Sequence, residues 1–258
     1  MIKAVFFDID GTLINFQTHS MPESTLRALE LLRQKNVRLF LATGRAPKHI
    51  GFMRDYFDFD GVIAFNGQYC FDQDGVFFDA PLSAQTVEKA FSYMEQKDIA
   101  ANFETADDDL FNRVNDRVRS FLRLAKVNGI EPRADEIMSL KQSVYQMSVF
   151  VSPEEERELM EHLPECKALR WTPTFINVID KAGGKAVGLS KACERYGISQ
   201  NEIMAFGDGG NDVDMLDYAG IGVAMGNGGA DAKAAANHVT TDIEDNGVYN
   251  ALKHFEVI

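Results

Sequence analysis

Residues 5–13 read VFFDIDGTL, an apolar run followed by two acidic residues two positions apart and a glycine. The apolar run predicts a buried β-strand. Side chains at positions i and i+2 of a strand point to the same side, so Asp8 and Asp10 are expected to face each other. Two negative charges at that distance repel each other, which costs free energy. Such a cost is expected where a site uses both carboxylates. The stretch therefore predicts a functional pair of carboxylates at the end of the first strand.

The composition is that of a globular protein with a strongly acidic balance. Of the 258 residues, 45% are hydrophobic and 25% are charged, which allows one large or two medium domains. Subtracting 39 acidic from 26 basic residues gives a net charge of −13, which disfavours nucleic-acid and anionic-membrane partners. Any phosphate that the chain binds needs a local source of positive charge or hydrogen-bond donors.

The cysteines and the N-terminal residues indicate the cellular compartment. Cys70, Cys166 and Cys193 lie far apart and form no CxxC pair, which is typical of reduced cysteines rather than of a disulfide or zinc framework. The N-terminal apolar run is short and ends in acidic residues, unlike a signal peptide or a membrane span. A cytoplasmic protein is expected. The oligomeric state stays open, and a monomer is compatible with the sequence.

Strand and helix patterns alternate in two separate blocks of the chain. In residues 1–82, strands such as VRLFLATG alternate with helical patterns such as PESTLRALELLRQKN, and residues 46–57 (APKHIGFMRDYF) also predict a helix. The alternation returns in residues 183–258, which predicts a Rossmann-like α/β core built on a parallel sheet. Residues 83–182 show helices followed by strands, which is typical of an α+β domain inserted into that core.

Polar clusters follow the predicted core strands at the point where each strand ends. Open parallel sheets bind ligands at the carboxyl ends of their strands, so these groups are expected to meet at one edge. They combine acids, one amine, one hydroxyl, and glycines whose backbone N–H groups can approach a ligand. The groups are Asp8 and Asp10, Thr43-Gly44-Arg45, Lys185, and Asp208 and Asp212 within GDGGND at residues 207–212.

The clustered acids favour magnesium over other metals. Oxygen ligands without cysteine or histidine suit Mg²⁺, which one or two carboxylates, water and substrate phosphate usually hold. The cation would offset the repulsion among the carboxylates and let one of them approach a phosphoryl group. Asp8 would then attack phosphorus and form an aspartyl-phosphate. Asp10 would donate a proton to the leaving alcohol and later remove one from the attacking water.

The motifs DIDGTL, ATGR, an isolated lysine and GDGGND, in this order, resemble the four motifs of the haloacid dehalogenase (HAD) superfamily of phosphatases. The FNGQY stretch, the insertion and the C-terminal GVAMGN segment are similar to the Cof-type branch, whose cap is an α/β C2 domain. The resemblance implies a catalytic core at residues 1–82 and 183–258 and a cap at residues 83–182. It also implies a Mg²⁺-dependent phosphatase of small phosphorylated metabolites, with sugar phosphates as the foremost class.

The resemblance further assigns roles to individual residues. It implies that Asp8 is the nucleophile and a Mg²⁺ ligand, and that Asp10 is the acid/base and binds Mg²⁺ through its carbonyl. It also implies that Asp208 completes the metal site, with Asp212 in support. The residues implied to hold the phosphate are Thr43, Gly44, Lys185 and Asn211.

Several motifs also have a simpler interpretation. A calcium-binding EF-hand loop starting at Asp8 is excluded, because its twelfth position is His19. Taken alone, Thr43 could simply cap a helix. Lys185 does not belong to a Walker motif, since no Ser or Thr follows it. Trp171 and Phe175 could form a substrate wall, although core packing is the favoured interpretation.

Other functions compatible with the motifs fall into two classes. The enzymatic alternatives are a phosphatase of phosphorylated vitamin or flavin precursors or of pyridoxal phosphate, and a phosphomutase, which returns the phosphoryl group to a bound sugar. The non-enzymatic alternative is a metal or phosphate sensor. Retention of Asp8 and Asp10 argues against the sensor, because binding alone needs no nucleophile.

Overall fold

The computed structural model describes residues 1–124, 130–139, 143–170 and 172–258. These residues divide into two compact units. The first unit comprises Met1–Arg45, His49–Asp79 and Gly184–Ile258, and the second comprises Ala46–Lys48 and Ala80–Gly183. None of the helices formed by the described residues combines the length and the apolar character that a bilayer crossing requires.

Strands and short helices alternate along much of the described chain. The strands are β1 (Ala4–Phe7), β2 (Arg38–Ala42), β3 (Gly61–Ala64), β4 (Tyr69–Asp72), β5 (Gly75–Asp79), β6 (Ala101–Glu104), β7 (Asp109–Phe111), β8 (Gln146–Val149), β9 (Cys166–Leu169), β10 (Ile176–Asp180), β11 (Ile203–Gly207), β12 (Ile221–Ala224) and β13 (His238–Val239). The helices are α1 (Glu23–Gln34), α2 (Ala84–Gln96), α3 (Asp116–Leu124), α4 (Ala134–Met138), α5 (Pro153–His162), α6 (Lys185–Tyr196), α7 (Val213–Tyr218), α8 (Ala230–Ala235) and α9 (Gly247–His254).

The first unit is built on one sheet with the strand order β13-β12-β11-β1-β2-β3-β4-β5. Neighbouring strands from β13 to β3 are parallel, and the β3-β4 and β4-β5 pairs are antiparallel. All four residues of β1 are buried, as expected for a central strand covered on both faces. The predicted Rossmann-like α/β core with a mainly parallel sheet is confirmed.

Phenyl rings in register fix the three central strands against one another. Phe6 lies opposite Phe40 and their rings stack at 4.8 Å, while Phe7 lies opposite Phe206 and their rings stack at 5.2 Å. A slip of one residue would turn every side chain of β1 to the other face. The carboxyl ends of β1, β2 and β11 are therefore aligned at one edge of the sheet.

Residues 46–57 do not form the predicted α-helix. They contain two 3₁₀ turns, Pro47–His49 and Gly51–Asp55. Gly51 disfavours helix propagation and Pro47 lacks a backbone N–H, so the segment breaks into short turns. Met53 is buried in the second of these turns, but the apolar spacing that suggested a helix could not show how short the turns are.

The second unit contains an antiparallel sheet with the strand order β7-β6-β8-β10-β9. One face of this sheet forms an apolar core with α2 and α5, in which Phe103, Met147 and Val178 are buried together with Met94 and Leu159. Phe175 is buried and packs against Phe121 and Phe150, which confirms the core-packing interpretation of this residue. Trp171 lies outside the described residues.

Candidate active site

The predicted site residues gather at the carboxyl edge of the sheet in the first unit. Asp8 follows β1, Thr43 follows β2 and Asp208 follows β11. The backbone N–H of Asp8 donates to the Phe206 carbonyl at 2.9 Å, and that of Thr43 donates to Ile63 at 2.8 Å, so the pairing extends past the strand ends. Three segments that are distant in the sequence thus deliver polar side chains to one place.

Lys185 is the buried cation of this edge. It is the first residue of α6, its side chain is 0% exposed, and its Nζ lies 2.6 Å from Asp8 Oδ1 and 2.5 Å from Asp212 Oδ1. Burial by itself would lower the pKa of Lys185, but attraction by Asp212 and Asp8 raises it above its ordinary value. The amine is therefore charged at any physiological pH and places a buried positive charge at this edge of an acidic protein.

The carboxylates outnumber this cation. Ligand oxygens of Asp8, Asp208 and Asp212 all lie within 4.8 Å of one another. Burial is the main cause that raises the pKa of Asp8 to about 7, with Lys185 opposing it and Asp212 adding to it. Burial and the charges of Asp8 and Asp212 raise the pKa of Asp208 to about 9. Within these described residues, the cluster is short of positive charge, as a cation site would be.

Asp212 anchors the loop that carries Asp208. Its Oδ2 accepts hydrogen bonds from the backbone N–H groups of Asp208, at 2.9 Å, and Gly209, at 2.8 Å, while its Oδ1 accepts from Lys185. Gly207 must lack a side chain here, because a Cβ would lie 2.5 Å from the Cβ of Asp212. The completely buried Asp212 carboxylate therefore shapes the loop, and both of its oxygens are already engaged.

Asp10 has a different partner from Asp8. Both of its carboxylate oxygens accept hydrogen bonds from Arg45, at 2.7 Å from Nε and 2.8 Å from Nη2. Burial acts to lower the pKa of Arg45, but the hydrogen bonds and charge of Asp10 raise it above its ordinary value. The Asp10 side chain is 26% exposed, whereas that of Asp8 is buried. The two acids that are adjacent in the motif thus occupy different environments.

Thr43, Gly44, Asn66 and Asn211 form a second polar group at this edge. Asn211 Nδ2 donates to Asn66 Oδ1 at 3.0 Å, and the Asn66 backbone N–H donates to the Thr43 carbonyl at 2.9 Å. A Cβ on Gly44 would lie 3.0 Å from Asn66 Nδ2, so the glycine lets the asparagine approach. Asn66 is buried in a left-handed conformation with φ 52°. The Asn-Gly dipeptide is typical of a turn, and the side-chain contact between Asn66 and Asn211 was not predicted.

Gly11 is another residue whose importance only the structure shows. Its φ of +86° favours glycine, and a Cβ would lie 2.2 Å from Asp208 Oδ2 and 2.7 Å from Phe16 Cε2. The Gly11 carbonyl accepts a hydrogen bond from Asn227 Nδ2 at 2.8 Å. The glycine of the DIDGTL motif therefore makes room for the Asp208 carboxylate beside the first strand.

Comparison with known proteins assigns this arrangement to a family. A family model described as haloacid dehalogenase-like hydrolase matches residues 5–252. The solved structure of a HAD subclass IIB sugar phosphatase is similar over 99% of this chain and 100% of that chain, with 38% identity and a TM-score of 0.92.

Two Bacillus subtilis (strain 168) proteins are similar over nearly the whole chain. The proposed phosphatase YkrA is 28% identical over 256 residues, which cover 99% of this chain and 98% of that protein. The 5-amino-6-(5-phospho-D-ribitylamino)uracil phosphatase YitU is 26% identical over 263 residues, which cover 97% of this chain and 96% of that protein. The chain belongs to the haloacid dehalogenase-like hydrolases and is a phosphatase of the Cof type.

Proposed function

We propose that this phosphatase depends on Mg²⁺ and hydrolyses a small phosphorylated metabolite, a sugar phosphate, through an aspartyl-phosphate on Asp8. The observation that carries the proposal is the placement of Asp8. Its carboxylate ends the central strand, contacts the buried amine of Lys185 at 2.6 Å, and lies in a cluster with two further acids. A nucleophile, a phosphate-binding cation and an oxygen-rich metal site coincide there.

The first chemical step is phosphoryl transfer to Asp8. An Asp8 oxygen forms a bond to phosphorus while the bond from phosphorus to the substrate's alcohol oxygen breaks, and Asp10 gives its proton to that oxygen. Lys185 holds the phosphoryl oxygens as a point charge, and Thr43, Gly44 and Asn211 supply hydrogen bonds. The contact between Asn211 and Asn66 orients the Asn211 amide for this task.

The second step returns the enzyme to its starting state. A water molecule attacks phosphorus and loses a proton to the Asp10 carboxylate, while the bond between phosphorus and Asp8 breaks. Inorganic phosphate leaves, Asp8 is a carboxylate again, and Asp10 carries the proton that the next cycle needs. The different surroundings of Asp8 and Asp10 support this division of roles.

The described acids fit a magnesium ion. They offer hard oxygen donors in a cluster that is short of positive charge, which is the chemistry that Mg²⁺ prefers. We assign Asp8 and Asp208 as carboxylate ligands and Asp10 as a ligand through its carbonyl, with Asp212 supporting them because its own oxygens are engaged. When bound, Mg²⁺ offsets the negative charge of the acids and of the phosphoryl group.

The similar proteins support the choice of substrate class. One solved structure at 38% identity is that of a sugar phosphatase, and we transfer this class to the present chain as a proposal. A phosphorylated flavin precursor is the second candidate, because the name of one relative at 26% identity assigns it such a substrate. We further propose that residues 83–182 act as a cap that selects among these substrates.

A screen of phosphorylated metabolites for phosphate release tests the proposal. Purified protein with Mg²⁺ should hydrolyse sugar phosphates and nitrophenyl phosphate, and Asp8→Asn should be inactive on all of them. Asp217→Asn, an exposed acid of α7, is the matched control and should keep full activity. Full turnover in the presence of a chelator, or in Asp8→Asn, would contradict the mechanism. Phosphate release without a bisphosphate activator separates hydrolysis from phosphomutase activity.

A further inference from the structure

The GVAMGN segment, residues 222–227, leads into a turn that has no role in the chemistry proposed above. The turn follows β12, which lies next to β11 in the parallel part of the sheet. The backbone N–H of Gly228 donates to the Met225 carbonyl at 2.9 Å, which closes the turn. We call residues 225–229 the Asn227 turn. Because parallel strands end at the same edge, this turn lies beside the loop that carries Asp208.

The Asn227 turn is bonded to the backbone of Asp208. The N–H of Gly229 donates to the Asp208 carbonyl at 2.8 Å, and the N–H of Met225 donates to the Gly207 carbonyl at 3.0 Å. The N–H of Asp208 is held from the other side, since it donates to Asp212 Oδ2 at 2.9 Å. The position of Asp208 is therefore fixed by bonds to both of its backbone polar groups.

The side chain of Asn227 reaches the loop that follows β1. Its Nδ2 donates to the Gly11 carbonyl at 2.8 Å. On the other side of Gly11, the N–H donates to the Ile14 carbonyl at 2.8 Å, and because a peptide group is planar, this bond also sets the direction of the Asp10 carbonyl. Glycine has more backbone freedom than any other residue. The bonds from Asn227 and to Ile14 remove that freedom at Gly11.

A second contact holds the same loop. Asn227 Oδ1 accepts a hydrogen bond from the backbone N–H of Ile243 at 2.9 Å. The next residue, Glu244, accepts a hydrogen bond at Oε1 from Nδ2 of the buried Asn15 at 2.8 Å. The C-terminal part of the chain thus holds the loop after β1 at two points, Gly11 and Asn15.

The Asn227 turn therefore connects the two segments to which we assign the metal ligands, the Asp10 carbonyl and the Asp208 carboxylate. Mg²⁺ requires nearly ideal octahedral geometry, so a small shift between these segments should weaken its binding. Asn227 is exposed, and both of its side-chain bonds go to backbone groups rather than to a side chain of the site. Water can replace an exposed amide at little cost in stability. Loss of Asn227 should therefore affect the site more than the stability of the fold.

We propose that Asn227 is a positioning residue for the metal site. It holds Gly11, and with it the Asp10 carbonyl, at a fixed distance from Asp208, and it thereby sets the affinity for Mg²⁺. The contact between Asn15 and Glu244 supports the same loop. This inference rests on the proposed function, and it adds a residue that acts on the metal only through other residues.

The main test measures Mg²⁺ affinity without using activity. The rise of Tm with Mg²⁺ concentration gives the Kd of the wild-type protein and of Asn227→Ala. The Kd should increase by about tenfold in Asn227→Ala, because residues that orient metal ligands typically change affinity by 10–100-fold. The Tm without metal should fall by only about 2–4 °C. Asn250→Ala is the matched control: its Nδ2 also donates to a backbone carbonyl, that of Asp245, at 2.9 Å, and it should keep the wild-type Kd.

A pair of variants at Glu244 tests the second contact. Glutamine keeps an oxygen that accepts from Asn15, whereas alanine does not, and both remove the negative charge. The Kd for Mg²⁺ should therefore be severalfold higher in Glu244→Ala than in Glu244→Gln. This comparison decides the outcome should Asn227→Ala fail to fold.

Phosphate release shows whether the effect acts through the metal. With nitrophenyl phosphate and Mg²⁺ well below its Kd, the rate in Asn227→Ala should fall by about tenfold, and it should recover to the wild-type value at saturating Mg²⁺. A purely structural loss would not recover. The KM for nitrophenyl phosphate at saturating Mg²⁺ should stay at the wild-type value.

The outcomes separate this inference from the proposed function. A wild-type Kd in a folded Asn227→Ala, or a loss of activity that no Mg²⁺ concentration restores, would overturn the inference while leaving the phosphatase mechanism intact. Equal Kd values in Glu244→Ala and Glu244→Gln would overturn the role of the second contact, and the whole inference if Asn227→Ala does not fold. A wild-type protein whose Tm does not respond to Mg²⁺ would overturn the proposed metal site itself.

Discussion

Arg45 binds both carboxylate oxygens of Asp10, with Nε 2.7 Å from Oδ2 and Nη2 2.8 Å from Oδ1. Asp8, two residues earlier, contacts Lys185 instead. A bidentate pair with a guanidinium fixes the plane of a carboxylate, whereas a lysine amine acts as a point charge. The neighbouring acids of the motif are therefore held in different ways, and one Asp10 oxygen must leave Arg45 before Asp10 can carry the proton of the proposed acid/base.

The effect of Asp10→Asn on the rate of phosphoryl transfer should depend on how readily the substrate's alcohol leaves. A sugar alkoxide needs a proton as its bond to phosphorus breaks, whereas a nitrophenolate leaves without one. Since general acid catalysis contributes roughly a hundredfold or more, transfer from a sugar phosphate should slow strongly and transfer from nitrophenyl phosphate much less. Hydrolysis of the phospho-enzyme still needs the base, so rapid mixing should show a burst of up to about one nitrophenolate per site.

Magnesium affinity is the control for this variant. Asparagine keeps the backbone carbonyl that we assign to the metal, so titration with Mg²⁺ should give a similar Kd for Asp10→Asn and the wild-type protein. Equal losses for both leaving groups without a burst, with metal still bound, would show that Asp10 is not the acid/base.

Gly11→Ala should lower both stability and Mg²⁺ affinity. The added Cβ would lie 2.2 Å from Asp208 Oδ2, and the φ of +86° is already unfavourable for alanine. Gly197→Ala is the matched control, because Gly197 also has a positive φ, +63°, but nothing lies within 4 Å of its added Cβ. The control should lose only about 1–2 kcal/mol of unfolding free energy and keep its metal affinity. Thermal unfolding with and without Mg²⁺ measures both effects, and equal Mg²⁺ affinity in the two variants would contradict the steric argument.

Mg²⁺ should raise the Tm of the wild-type protein, and Asp208→Asn should abolish that rise. A ligand that binds only the folded state stabilises it by about 2.7 kcal/mol at one hundred times its Kd. Without metal and near pH 7, Asp208→Asn should unfold at about the wild-type temperature, because burial and the charges of Asp8 and Asp212 raise the pKa of Asp208 to about 9 and the acid is already uncharged there. Calorimetry over a range of Mg²⁺ concentrations measures this, with Asp217→Asn as the control. A Mg²⁺-dependent rise that persists in Asp208→Asn would exclude Asp208 as a ligand.

The stability of the wild-type protein relative to Glu104→Gln should fall between about pH 4.5 and pH 8. Burial raises the pKa of Glu104 from 4.5 to about 8, so in this window the folded protein keeps a proton that the unfolded chain has lost. The unfolded state then binds fewer protons, and stability decreases with rising pH by at most about 1.4 kcal/mol per pH unit. Glutamine cannot ionise and lacks this dependence.

Denaturant unfolding of both proteins at several pH values measures the difference. The difference in unfolding free energy between the wild-type protein and Glu158→Gln should not change from pH 6 to pH 9. Hydrogen bonding to Lys97 lowers the pKa of Glu158 below its ordinary value, so this acid is ionised throughout that range. A flat difference for Glu104→Gln across pH 5 to 8 would show that this acid titrates normally.

The parts of the fold that depend on local pattern could be predicted from the sequence. The alternation of apolar strands with amphipathic helices predicted the parallel sheet, and the positions of Asp8, Thr43 and Asp208 after strands predicted their common edge. Side-chain pairing over long sequence distances carries no such pattern. The contact of Asn66 with Asn211 and the bidentate contact of Arg45 with Asp10 were therefore not predicted.

Burial of polar strand residues in the second unit could not be predicted from the sequence. In residues 146–149 (QMSV), polar and apolar residues alternate, which is typical of a strand with one exposed face. Gln146 is nevertheless buried. Alternation shows which residues share a face, but not whether water or protein covers that face. Burial of Gln146 and Glu104, and the raised pKa of Glu104 that follows from it, could be seen only in the three-dimensional structure.

The position of β1 in the sheet has a consequence for synthesis of the chain on the ribosome. One edge of β1 pairs with β2, which emerges soon after it, but the other edge pairs with β11, as the partners Ala4 and Ile203 show. At about 5–20 residues per second, the ribosome needs roughly 10 to 40 seconds to extend the chain from Ala4 to Ile203. During that interval the β1 edge has unpaired backbone groups and can pair with other nascent chains. The strand that leads into Asp8 thus has an edge that needs protection while the protein is being made.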